Sequence, residues 1–492
     1  MTENREKKEV LRLLSEDDLN KIHEATLHIM EEKGIRFVTK EALDIFKKAG
    51  FKIENEDIVK FPSDLVMDAI KKVPQSFVRR GLDPKYDVTM GDGTLSMGGG
   101  SLPLYVVDPD TYSRRKATSE DMVKFTRLVD ALPNLAIGNG VVKPSDVPDR
   151  VVHAVWNWNI VTNTYKPSCC WYATDKKTAQ DTIEILSAAA GGLDELKERK
   201  TWAITICPDN SLTWGDSIIG LIEMAKVEVP IEILPMPFLG SMYPVTIAGA
   251  LVQANAEALS AVVLSQIINP GCPIIYAPSY GGIMDMRVAS HAFGTPETAL
   301  YGAAAAQLGK WYGFPTNIMM GTTDSKVPDA QAAYEKMMTM LLPALAGVDC
   351  MSLVGGMLDF ALSASYEQMV IDNEIAGQVL RIRRGFKITD ETLAVDVIKE
   401  VGHGGHYLEH EHTLKHFREE LWIPEIADRY SREVWESKGG KDIKERAKEK
   451  AQKIIQEHYP TPLSEERQKE VDKVVKRIMQ REGITHEILT LG

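Results

Sequence analysis

The sequence predicts an α/β fold: a (β/α)8 barrel of the TIM type, with an N-terminal helical extension and C-terminal helices. Two observations carry this reading. Seven short β-rich runs alternate with longer stretches of helical composition after residue 118. The span from about 105 to 385 is also close to the size of one such barrel. Alternation of this kind implies a parallel sheet with right-handed crossovers. A doubly wound sheet is the main rival. Its dinucleotide-binding form is disfavoured, because no Gly-x-Gly-x-x-Gly follows the first strong strand, although Gly138-Asn-Gly140 lies nearby. The expected division is 1–104 extension, 105–385 catalytic barrel, and 386–492 His-rich loop and helices.

In the extension, Ser15 and Asp18 resemble a capping box, with Leu14 placed to staple onto Leu19. Leu19, Ile22, Ala25 and Ile29 mark one helical face, and Gly34 supplies a stop. The Gly-rich stretch Asp87–Val107 reads as hairpin and loop. It lacks the Lys-Ser/Thr of a phosphate-binding loop, so a turn is the better reading. The β-rich runs are Leu135–Val142, Ser168–Ala173, Trp202–Cys207, Ile231–Met236, Pro273–Pro278, Thr316–Gly321 and Val348–Val354; an eighth is expected near Leu104–Val107 or disguised elsewhere. Helical composition fills Val151–Thr162, Lys177–Ala190, Ile218–Val227, Ile247–Ile268, Thr295–Tyr312, Pro328–Leu345 and Tyr366–Arg384, with Pro328 suited to a first turn. The tail, Asp442–Glu482, is rich in Lys, Glu and Gln and interrupted by Pro460 and Pro462. It reads as two charged helices on the outside or at a subunit contact of a homo-oligomer.

Composition narrows the function classes. The chain has 492 residues, of which 57 are basic and 70 acidic, for a formal charge of −13. That balance disfavours broad nucleic-acid or anionic-membrane binding, which needs concentrated Lys and Arg. The charged segment Met1–Val10 has no apolar core of a secretory signal. The most apolar long window, Ala248–Ile267, contains Gln253, Asn255 and Glu257, and reads as a buried helix and not a membrane span. Cys169, Cys170, Cys207, Cys272 and Cys350 are an odd set without metal-type spacing, as expected of reduced thiols in a cytoplasm.

In a barrel, chemistry collects where strands end and the following loops begin. These ends carry Trp171 and Tyr172, Pro208-Asp209, Met236-Pro237, Tyr276 and Tyr280, Gly321 to Lys326, and Gly355-Gly356. Aromatic faces attract cations, most usefully a quaternary ammonium that donates no hydrogen bonds. Taken singly, each ring can equally fill the mouth as core. In the loop Gly321–Lys326, Asp324 can act as a base or orienter and Lys326 as an anion contact; a plain helix-capping turn explains the same residues. His403, His406, His410, His412 and His416 crowd into one short stretch, two pairs of them at i, i+4 spacing. No His-Glu-x-x-His occurs, and hydrogen-bonding histidines account for the cluster more simply than metal. No Gly-x-Ser-x-Gly and no Walker pattern is present, which argues against an esterase or a P-loop enzyme.

The combination of Gly321-Thr-Thr-Asp-Ser-Lys326 with Asp329-Ala-Gln-Ala-Ala-Tyr-Glu335, Gly402-His-Gly-Gly-His-Tyr-Leu408, His412-Thr-Leu414, Trp422-Ile-Pro424 and Asp428-Arg429 resembles the trimethylamine methyltransferase family. Leu19-Asn-Lys-Ile-His-Glu-Ala25 and Gly34-Ile-Arg-Phe37 are similar as well. The resemblance implies a (β/α)8 barrel that passes a methyl group to cob(I)alamin on a separate corrinoid protein, with no cofactor held tightly by this chain. The founding members carry pyrrolysine, whereas this chain has only the twenty standard residues and resembles the non-pyrrolysine branch. That branch is implied to demethylate quaternary amines such as glycine betaine, proline betaine or carnitine. Glycine betaine is the leading substrate expected here, because it is the simplest.

On the chemistry of predicted strand ends, and not on the resemblance, Trp171, Tyr172, Tyr276 and Tyr280 are expected to cage the cation. Arg287, His291 and Lys326 are candidate donors to a betaine carboxylate. A zinc-dependent barrel enzyme and a catalytically silent quaternary-amine binding protein are the competing expectations.

Overall fold

The computed structural model describes residues 11–484; the charged segment Met1–Val10 lies outside them. The first helix runs Glu16–Glu32, with the reciprocal Ser15–Asp18 capping box in place, and Gly34 follows its end at φ +72°. Strands Ile35–Phe37, Ile58–Val59 and Ile53–Glu54 form a small sheet that Thr213–Trp214 of the main body extends in parallel. Phe37, Phe46, Phe51 and Phe61 pack ring against ring beside it. The extension is thus sewn onto the body by a shared sheet edge and a shared core.

The body is a mixed α/β structure whose principal strands are parallel. We label them β1 (Ser96–Gly99), β2 (Ser168–Cys170), β3 (Trp202–Ile206), β4 (Ile231–Ile233), β5 (Ile274–Tyr276) and β6 (Cys350–Gly355). β2, β3, β4 and β5 pair side by side, and β6 pairs with β1. Single parallel bridges join Gly98 to Ile137, Gly138 to Ser168, Tyr276 to Thr316 and Asn317 to Cys350. The succession of parallel contacts therefore leads from β1 through these segments to β6 and back to β1. A helix follows each step, among them Val152–Thr162, Lys176–Ala190, Ala330–Leu345 and Tyr366–Arg384, close to the spans the composition predicts.

One expectation is corrected. Leu104–Val107 does not supply the remaining parallel strand: Tyr105–Val107 belongs to a separate sheet with Arg114–Lys116, Ser363–Ala364 and Met357–Leu358. That strand is β1, inside the stretch read as a turn. Its glycines serve close packing instead. A Cβ on Gly99 would stand 2.7 Å from Val129 Cγ2, and one on Gly98 3.1 Å from Ile137 Cβ. A second, smaller difference concerns Pro328, which precedes the helix Ala330–Leu345, whose cap is Asp329.

The end of the ring where strands begin is closed from below. Val88 and Met90, on a hairpin strand paired with Phe77–Arg79, form one apolar cluster with Ile137, Ala203, Ile275 and Cys350. Buried Arg79 donates from the same hairpin to the carbonyls of Ser168 (2.6 Å) and Thr201 (3.2 Å). The tail helices, Ile443–Glu457 and Glu465–Arg481, bury Ala447, Ala451, Val471, Val475 and Ile478 against the outer helices. Between them and the body, the short helices of 390–437 bury nothing.

Helix Ile247–Ile268 is long and apolar enough to cross a membrane by composition, but 72% of its most apolar window is buried inside the molecule. It is a core helix, and it carries a buried acid. Glu257 accepts from the Tyr243 hydroxyl, from Leu212 N at 2.8 Å and from Gln253 Nε2 at 3.0 Å. Burial pushes its carboxyl up to about 7, the hydrogen bonds opposing. The folded state thus holds a proton that the unfolded chain gives up near its ordinary value. Stability from this group is complete below that value and is lost as pH rises to about 7. Glu257→Gln should therefore flatten the decline, removing about 3 kcal/mol of the difference between roughly pH 4 and pH 8. Denaturant midpoints of both proteins at the two pH values test this; parallel declines would refute it.

Candidate active site

Inward positions on parallel strands alternate with positions that face the helices. On β3, outward Ile204 and Ile206 are buried, whereas inward Thr205 is partly accessible, as is Cys207 just beyond the strand. Cys169 of β2, Met236 after β4 and Tyr280 after β5 are partly accessible too. The ring therefore encloses a space that reaches down its inner wall. Its upper wall is apolar: Leu234, Ala277, Met319, Leu353, Met357 and Ala361 pack with Cys207, Met236 and Tyr280. Leu353 holds that place at φ +70°, where the register of β6 against β1 shifts, a strained conformation for a residue with a side chain.

One step lower the wall turns polar. Glu232 of β4 is 1% exposed and accepts from Thr205 Oγ1 at 2.7 Å and from Asn317 Nδ2. Asn317 Nδ2 also reaches Ser352 Oγ at 2.8 Å, and Asn317 Oδ1 accepts from Ser352 N at 3.0 Å. Asn139 Oδ1 accepts from Cys169 N at 3.3 Å. Cys169 and Cys207 are held as neutral thiols, pushed up to about 12 by burial and secondly by the Glu232 charge.

Of the expected cation cage, Tyr280 alone joins the inner wall. Its ring stands 5.7 Å from that of Phe293, and burial raises its hydroxyl to about 12. Tyr276 faces the other way: its hydroxyl donates to Asn255 Oδ1 (2.9 Å) on helix Ile247–Ile268, between strand and helix. Trp171 packs edge-on against Trp156, and Tyr172, 41% exposed, stacks on it at 4.8 Å. Among the described residues, this pair makes no ring contact with Tyr280.

The expected carboxylate donors stand at the rim. Arg287 lies on the hairpin Ile283–Ala292 with its side chain 87% exposed and paired to Asp285 (2.6 Å). His291 Nε2 shares a 2.8 Å hydrogen bond with Ser241 Oγ, and burial lowers its pKa. Lys326 is exposed, donates to the Asp324 carbonyl (2.7 Å) and sits 4.1 Å from the Phe360 ring centre.

Asp324 spends both carboxylate oxygens on backbone: it accepts from Phe293 N (2.8 Å) and Gly294 N (3.2 Å). Burial, with Glu335 nearby, raises its pKa. It clamps the loop after β5 to the loop after Thr316–Asn317, the orienting half of what the sequence suggests for it. Glu335, from helix Ala330–Leu345, fixes the same loop by accepting from Thr323 Oγ1 (2.5 Å) and Asp324 N (2.8 Å). Below it, fully buried Lys336 and Asp372 pair at 2.9 Å. Lys336 also donates to the carbonyls of Gly321 (2.6 Å) and Val354 (3.1 Å), and Asp372 accepts from Gly356 N (2.7 Å).

Glu232, Thr205, Asn317 and the Lys336–Asp372 pair were not anticipated from sequence. The one legible signal was an acid in the middle of the apolar run Ile231–Leu234. In the histidine cluster the His412 and His416 rings stay 4.5 Å apart on one helix, His410 Nδ1 accepts from His412 N (3.0 Å), and His416 lies 3.2 Å from Glu391. Among the described residues, no three His, Cys, Asp or Glu are grouped to hold a metal.

A family model described as trimethylamine methyltransferase matches residues 2–483. The trimethylamine methyltransferase MttB of Desulfitobacterium hafniense DCB-2 is 34% identical over 482 residues, covering 96% of this chain and 95% of that protein. The glycine betaine methyltransferase of D. hafniense Y51 is 35% identical over 460 residues, covering 92% and 94%. An MttB from Methanosarcina barkeri is 30% identical over 480 residues, covering 95% of each.

Proposed function

The chain belongs to the trimethylamine methyltransferase family, and from that premise we propose that it transfers a methyl group from a quaternary amine, glycine betaine first, to Co(I) of a separate corrinoid protein. The ring of parallel contacts with its outer helices is read as a (β/α)8 barrel running from residue 96, not 105, to about 385. The observation that carries the substrate class is the inner wall: apolar above, where Leu234, Ala277, Met319, Leu353, Met357 and Ala361 pack with Tyr280. Such a wall suits a methylated cation that gives no hydrogen bonds. The acceptor protein docks at the mouth, formed by Phe238, Tyr280, Phe293 and the Gly321–Lys326 loop. We place the protein in the cytoplasm as a homo-oligomer.

The corrinoid, when docked, supplies the nucleophile that takes the methyl carbon. A quaternary nitrogen needs no proton to leave, since cleavage of its C–N bond releases a neutral tertiary amine. This accords with an inner wall that offers neutral thiols and Tyr280. The chain's work is then orientation and water exclusion. Met236, Met319 and Leu353 bound the methyl groups, Tyr280 presents a ring face, and the Asp324 clamp keeps the mouth loops in register.

The test is an anaerobic spectrum of the protein with cob(I)alamin, or with its cognate corrinoid protein, and glycine betaine. Methylcobalamin and dimethylglycine should form together. Conversion with another quaternary amine instead keeps the reaction and replaces the substrate; trimethylamine belongs in the same panel. Failure with every donor, cognate acceptor included, refutes the reading.

A further inference from the structure

The geometry points to Glu232 as the fixed counter-charge for the donor's quaternary nitrogen, an inference that rests on the methyltransferase reading above. Its carboxylate stands at the inner wall, 1% exposed. Both oxygens are held by neutral donors, Thr205 Oγ1 and the Asn317 amide, and no Lys, Arg or His among the described residues pairs with it. A buried charge without a partner is costly to keep. The contrast lies nearby, in Asp372, where the fold supplies Lys336 as the partner. At Glu232 the neighbours are instead buried Asn317 and two partly accessible groups, Thr205 and the Cys169 thiol 3.9 Å from Oε2; buried Arg79 also approaches Cys169 but forms no ion pair with Glu232. This carboxylate, which has no direct ion pair, therefore borders the enclosed space, one inward step below the layer of Cys207 and Tyr280, roughly 6–7 Å along the strand.

A quaternary ammonium fits this placement. It spreads its charge over methyl groups and donates no hydrogen bond, so it needs a charge at short range and not a contact. A carboxylate beneath it and the Tyr280 face beside it attract it together. The same charge turns the carboxylate of a betaine away from the floor, toward the rim that carries His291 and Lys326.

The inference also separates binding from chemistry. As the C–N bond breaks, positive charge drains from nitrogen, so Glu232 stabilises the bound donor more than the transition state. Removing the charge should raise KM and Kd while kcat holds or rises. The product amine, neutral when formed, loses this attraction and is released.

The experiment compares choline with its neutral carbon isostere 3,3-dimethylbutan-1-ol by calorimetry on the full chain. We expect Glu232→Gln to weaken choline by on the order of 10-fold or more while leaving the isostere within about 2-fold. Glu232→Asp, which keeps the charge, should retain a preference for the cation, and it carries the test should the glutamine variant not fold. Equal losses for both ligands, or no loss for choline, would overturn the inference and leave Glu232 a packing residue. The parent reading is judged separately, by methyl transfer from the donor panel with the wild-type protein. Transfer there with unchanged binding in E232Q rejects this inference alone.

Discussion

Asp372→Asn is expected to lower the unfolding free energy by about 3–5 kcal/mol, among the largest effects of any single substitution in this chain. The carboxylate is fully buried, and it accepts from Lys336 Nζ, Gly356 N and Gln368 Nε2. Burial raises Asp372 and lowers Lys336, so each ion is kept charged only by the other and by those bonds. Removing one charge strands the second among the carbonyls of Gly321 and Val354. Lys336→Met with Asp372→Leu should recover much of the loss, because two apolar groups leave no buried ion. Chemical denaturation of wild type, D372N and the double variant measures this. A loss below about 1 kcal/mol in D372N would mean the pair is unimportant.

The second large effect concerns substrate. Tyr280→Ala should raise KM for the quaternary amine roughly 10- to 30-fold, the worth of about 2 kcal/mol of desolvated cation–π attraction. Tyr280→Phe should stay close to wild type, because the ring face does the binding and the hydroxyl makes no hydrogen bond to a described residue. With that hydroxyl raised to about 12 by burial, its ionisation adds no pH dependence in the neutral range. Steady-state kinetics of the two variants decide. If Y280F falls with Y280A, the hydroxyl carries a role of its own; if neither changes, the cation binds at Trp171 and Tyr172.

The regular part of this fold was legible because short β-rich runs alternate with longer helical stretches, and that alternation survives in composition even where a helix such as Val152–Thr162 is buried all round. β1 was not legible: Gly98 and Gly99 give it no side-chain pattern, since the neighbouring Val129 and Ile137 occupy that space. The site was harder to read. Strand ends were found, but not which face each residue takes. Ile275 and Ala277 point inward, so Tyr276 between them must face the helices, a distinction of one residue that composition does not carry. Glu232 lay hidden for the opposite reason, its neighbours Ile231 and Ile233 making the run look like featureless core. Asp324 and Lys326 sit in the right loop, yet hydrogen-bond partners, set by elements far off in sequence, decide what they do.

The hairpin that closes the lower end of the ring has a kinetic consequence. With Val88, Met90 and Arg79 stoppering one side, the opposite mouth is the way in among the described residues, and on the proposed reaction donor and acceptor share it. If methyl transfer runs as proposed, the amine enters before the acceptor protein arrives, and the acceptor departs, already methylated, before the spent amine follows. Such a queue makes the turnover compulsorily ordered: the demethylated amine, last out, competes with the donor for the free enzyme, whereas the methylated acceptor protein does not.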